Sequence, residues 1–137
     1  MKGAAENFTF LAVTLGLIAS PLLAERNLIP SLETVPDVCT ERPSEPGWMQ
    51  NIPLRDAYQR VLVQDIYQAQ NMKRIVEKGS CGCAVRFPAW DNAENTFREN
   101  HASAGRSEML QASDSYNREA NELRPEAQAI CEVEGNW

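Results

Sequence analysis

Four cysteines hold most of the chemistry this sequence could perform: Cys39, Cys81, Cys83 and Cys131. A bridge between Cys81 and Cys83 would close a very tight, strained ring. The simpler arrangement sends the two to different partners, Cys39 and Cys131, and the spacing leaves open which goes to which. Three active roles compete with this structural one. A strained Cys81–Cys83 pair would suit a thiol–disulfide redox protein. A thioredoxin-like site, however, places two residues between its cysteines and follows a strand, and this sequence has neither feature. A metal site would draw on Cys81, Cys83, His101 and a further cysteine, yet the spacing matches no common zinc pattern. Cysteine–histidine catalysis needs a free thiolate and an oriented imidazole, and His101 is the single histidine. At a helix end, a cation near the C-terminal dipole explains His101 without any catalytic role.

The remaining polar residues form no recognisable constellation. The carboxylates between Glu94 and Glu134 scatter over helix faces and read as a solvated surface. There is no glycine-rich phosphate loop, nucleophile elbow or zinc-binding helix motif. The reading is therefore of a non-enzymatic protein with no cofactor and no metal. Thirteen basic against nineteen acidic residues give a net charge of -6. That balance repels phosphate backbones, so nucleic acid is not expected as a partner.

The elements that must hold the cysteines begin with an export signal. Residues 1–24 read as a signal peptide: Lys2, an apolar run from Phe8 to Ala19, the breaker Pro21, and Ala24 at the cleavage point. Removing them takes away Lys2 and Glu6 and leaves the charge at -6. The stretch from Phe8 to Ala24 lies at the lower limit of a bilayer span and Pro21 interrupts it, so no stable membrane insertion is expected after cleavage. The product is expected to be periplasmic or secreted, where an even number of cysteines in a small chain reads as two disulfides.

Residues 25–53 read as an irregular arm, because Pro30, Pro36, Pro43, Pro46 and Pro53 remove donors and fix φ. Its apolar side chains Leu28, Ile29, Leu32, Trp48 and Met49 are candidates for docking on a protein partner in the cell envelope. For Trp48 and Met49, packing on the helices is the ordinary alternative. Residues 54–137 read as the helical domain. Leu54, Tyr58, Val61, Leu62, Ile66, Ala69, Met72 and Val76 recur at three- and four-residue spacings, which predicts a helix over 54–78, about 37 Å long, that ends at Gly79. Asp91 and Glu94 predict a capped second helix over about 92–102, with Ala93, Phe97 and Ala104 inward.

A third helix should carry Met109, Ser113, Tyr116, Ala120, Leu123, Ala127 and Ile130 on one stripe, with Pro125 either kinking it or opening a new helix. Phe87, Trp90 and Leu123 are expected in the core. One straight rod from Asn92 to Cys131 would be about 60 Å long and would carry Cys131 away from the cysteine loop. The chain must therefore reverse near Ser103–Ser107. The expected fold is all-α, a small three-helix domain after a proline-rich arm, cross-linked by disulfides.

Two segments carry a resemblance. CGCAVRFPAWDNAE (Cys81 to Glu94) and AICEVEGNW (Ala129 to Trp137) resemble small exported proteins encoded beside type IV secretion and conjugation systems in proteobacteria. The resemblance implies an accessory role in the envelope and brings no catalytic residues with it.

Overall fold

The computed structural model describes residues 38–137. The signal peptide and the docking candidates Leu28, Ile29 and Leu32 lie outside the described residues. The described chain is helical, without strands. A single turn, α1 (Gly47–Gln50), precedes a 3-10 turn (Leu54–Asp56) and the long α2 (Ala57–Lys78). The turn α3 (Cys83–Arg86), then α4 (Asp91–Asn100) and α5 (Arg106–Val133), complete it.

Helix α2 ends where glycine permits. Gly79 takes φ 59° and returns its N–H to the carbonyls of Ile75 and Val76. The helix starts later than its apolar pattern suggests, which corrects the expected start at Leu54. Pro53 leads into a 3-10 turn, whose tighter winding rotates Leu54 off the stripe and leaves it 92% exposed. Val61 also faces outward, whereas Val63 and Ile75, outside the predicted stripe, are fully buried. Partners on more than one side widen the buried face.

The reversal falls at His101–Gly105, as cysteine geometry requires, and α4 and α5 both pack on α2. The predicted cap of α4 is different in the structure. Trp90 occupies the cap position without a side-chain bond to the helix, and Asp91 begins the helix, where an acid favours the positive end of the dipole. Helix α5 is capped as Gly105 donates its N–H to Glu108 Oε2 at 2.8 Å. Pro125 neither starts a helix nor ends one: α5 runs through it to Val133. Ala120, Ala127 and Cys131 are fully buried around it, so packing outweighs the hydrogen bond the proline removes.

The core has two parts. Met49, Leu62, Val63, Ile66, Ala93, Phe97 and Met109 fill one. Ala69, Met72, Ile75, Cys81, Ala120, Ala127 and Cys131 fill the other. Small residues on α5 let the helices approach closely around the second cluster. Ser113, inside the α5 stripe, donates its hydroxyl to Asp65 of α2, so the polar residue in the seam is satisfied. Phe87, Trp90 and Leu123 are half-buried rather than enclosed. Trp90 stacks on Tyr67 with centroids 3.9 Å apart.

The last part of the arm belongs to this body. Met49 is fully buried, and Trp48 stacks on Phe97 at 5.8 Å while its indole N–H donates to Glu94 Oε1 at 2.7 Å. Trp90 Nε1 donates to the Pro43 carbonyl at 3.1 Å, and Glu45 pairs with Arg60 at 2.7 Å. Met49 is thus enclosed in the core, as the packing alternative expects, while Trp48 packs on it half-buried. Ile66→Ala should lower stability in urea melts by about 2–5 kcal/mol, as a fully buried branched side chain is lost from a packed seam. Leu54→Ala should change it by less than about 0.5 kcal/mol.

Candidate functional site

The cysteine loop is where both ends of the described chain meet. Cys39 is bonded to Cys83 and Cys81 to Cys131, with Cα separations of 5.3 and 4.9 Å. Cys81 and Cys83 therefore serve separate bridges and form no exchange pair. No free cysteine stands among the described residues. His101 lies at the far end of α4, its ring edge-on to Tyr116, away from the cysteines that a zinc set would require. Cys81 and Cys131 are fully buried, whereas Cys83 is half-buried.

Around the bridges lies a polar knot that the sequence reading missed. The end of α5 closes as a Schellman motif: Gly135 adopts φ 71°, its N–H reaches the Glu132 carbonyl, and the Asn136 N–H reaches the Cys131 carbonyl at 2.8 Å. That turn aims Asn136, 8% exposed, back into the junction. Its Oδ1 accepts from the Cys39 N–H at 3.1 Å, and its Nδ2 donates to the Cys81 carbonyl at 3.0 Å. One amide thus ties the backbones of both bridges together. Glu134 adds a carboxylate oxygen that accepts from the Cys81 N–H at 2.9 Å and stands 3.5 Å from the Ser80 hydroxyl. The signal available in the sequence was Gly135 directly after the helical stripe; nothing local indicates where Asn136 would reach.

Beside the knot, cations and rings alternate. The guanidinium of Arg42 lies 4.6 Å from the centroid of Phe87. That of Arg86 lies 5.1 Å from the same ring and 4.9 Å from the Trp137 ring. Cation–π contact of this kind holds guanidinium planes in place, and Arg86 Nη1 also donates to Cys81 Sγ at 3.8 Å. Burial, and after it the Arg42 cation, lower the Arg86 pKa below its ordinary value. Burial raises the Tyr67 phenol, whose hydroxyl donates to the Pro88 carbonyl at 2.8 Å.

These four residues form a ridge with a cavity on either side. One, of about 100 Å³, lies against Val38, Cys39 and Asn136. The other, of about 250 Å³, opens over Tyr67, Gln68, Asn71 and Met72 of α2 and Arg124 of α5. The sequence placed Phe87 in the core and assigned Arg42, Arg86 and Trp137 no role in a site. The arrangement can bind anions and stack on planar groups.

No family model, curated protein or solved structure matches this chain. Asn136→Ala should lower stability by about 1–3 kcal/mol in urea melts, since it removes the hydrogen bonds from the Cys39 N–H and to the Cys81 carbonyl. Removing the Cys81–Cys131 bridge as a double alanine variant should cost about 2–4 kcal/mol under the same conditions.

Proposed function

We propose that this protein is an exported, periplasmic binding or structural accessory protein, non-enzymatic, that serves an envelope machine of the type IV secretion or conjugation kind. The observation that carries the reading is the pair of long-range bridges, each spanning more than forty residues of chain, which suit an oxidising compartment. The signal-peptide pattern of residues 1–24 agrees with that compartment. Among the described residues no helix is long and apolar enough to cross a membrane. The cation–ring ridge supports a binding role, because it sets guanidinium donors on a scaffold cross-linked against movement. The machine is named on the resemblance of the two C-terminal segments alone.

Expression of the full chain in a bacterial host tests the compartment. The periplasmic fraction should contain a product that begins at Glu25, and alkylation followed by intact mass should count no free thiols. Full-length protein in the cytoplasm with four alkylated cysteines would overturn the reading. In-cell cross-linking should then join the exported protein to a component of a secretion machine; a chain that cross-links to nothing in the envelope would remove the accessory role.

A further inference from the structure

Two guanidiniums of the ridge and that of Arg124 line the larger cavity, and no carboxylate side chain lines it with them among the described residues. Arg55, Arg60 and Arg98 each pair with a carboxylate. Among the described residues Arg42, Arg86 and Arg124 have none within ion-pair distance, although the chain carries more acids than bases. Among the described residues Arg124 bonds to the neutral side chain of Asn121, at 3.3 and 3.2 Å. Arg74, Arg106 and Arg118 also lack an ion pair among the described residues, but Arg42, Arg86 and Arg124 line one cavity together, where their combined field favours an external anion.

Size and lining narrow the chemistry. The larger cavity, about 250 Å³, equals roughly eight water volumes, far more than a lone oxyanion fills. It is smaller than the usual pocket of roughly 300–1,000 Å³ that encloses a small molecule. A chain lying across it, with part of its surface outside, fits both limits. The floor mixes the amides of Gln68 and Asn71 with Met72, and the Trp137 ring stands at the rim, 42% exposed. Amides suit a peptide backbone, and thioether and indole suit apolar side chains. Guanidiniums fixed over rings suit planar carboxylates, which they grip through two parallel N–H bonds.

We propose that the ridge of Arg42, Phe87, Arg86 and Trp137, together with Arg124, receives an acidic peptide segment of a protein partner. Its carboxylates pair with the guanidiniums, and its apolar side chains rest on Met72 and the Trp137 ring. This rests on the binding reading above and names the chemistry of its partner.

The test titrates the full chain, disulfides intact, into a fluorescein-labelled glutamate-rich peptide with interspersed leucines and follows anisotropy. Binding should weaken as salt rises. Arg86→Gln should weaken it about tenfold or more, the loss expected of one charge-assisted contact. Arg42→Gln, at an exposed position in an irregular segment, should act in the same direction and keeps the test valid if Arg86→Gln fails to fold. Arg118→Gln, on a different surface of α5, should bind as the parent does.

Unchanged affinity in both ridge variants overturns the assignment. So does displacement of the peptide by an equal concentration of inorganic phosphate, or binding to phosphatidylglycerol vesicles without binding to the peptide. If an envelope partner is cross-linked equally well by the Arg42→Gln/Arg86→Gln protein, the ridge assignment fails and the binding role stands. If the peptide binds through the arginines while no envelope protein is cross-linked, the ridge stands and the accessory role fails.

Discussion

Two cysteines separated by one glycine, each bonded to a different end of the chain, set the geometry of this molecule. Cys81 holds the last turn of α5 and Cys83 holds the segment ahead of α1. Gly79 ends α2 just before them, so the long helix delivers the cysteine loop to one end of the bundle. Helix α4 then has to leave that end and α5 has to come back to it. The layering of both on α2, the close-packed alanines of the second core cluster and the burial of Asn136 all follow from this fixed point. The bridges alone leave the junction free to twist. The amide of Asn136 and the carboxylate of Glu134 bond backbone groups across it and remove that freedom.

Most of the helical framework was legible because its signals are local. Three- and four-residue spacing marks one face of α2 and of α5, and Gly79 marks a stop. The reversal near residue 103 was legible for a different reason: two disulfides leave a straight rod no way to close. What escaped the sequence depends on contacts between distant segments. Met49 is buried because Trp48 finds Phe97 and Glu94, nearly fifty residues further on. Leu54 is exposed because a 3-10 turn shifts the register by a fraction of a turn, which apolar spacing does not resolve. Asn136 and Glu134 resemble any polar helix end until the Schellman turn directs them inward. The ridge was invisible for the same reason, since Arg42 meets Phe87 only after the Cys39–Cys83 bridge brings the arm alongside α3.

The charge pattern has a physical logic of its own. Several surface acids are engaged within the body: Glu45 with Arg60, Glu94 with Arg98 and the Trp48 indole, Asp65 with Ser113. The guanidiniums of the ridge are held by rings instead. A ring contact keeps a cation's position and leaves its hydrogen-bonding edge available, whereas a carboxylate uses that edge up. The same fold therefore contains two kinds of arginine, one paired to a carboxylate as a strut and the other held by rings without an ion pair.

The connectivity also constrains how the molecule can be made. In chain order the bridges join the first cysteine to the third and the second to the fourth. A chain that emerges N-terminus first exposes Cys39 and then Cys81 before Cys83 appears, and Cys131 comes later still. An oxidant that acts as thiols appear would therefore link Cys39 to Cys81 first. The native pairs are then reached only by thiolate attack on that bridge, a reshuffling that takes minutes to hours without a catalyst. The glycine between Cys81 and Cys83 keeps the rescuing thiol of Cys83 next to the sulfur it must replace. The connectivity thus places the thiol that can correct an early mispairing within the same loop.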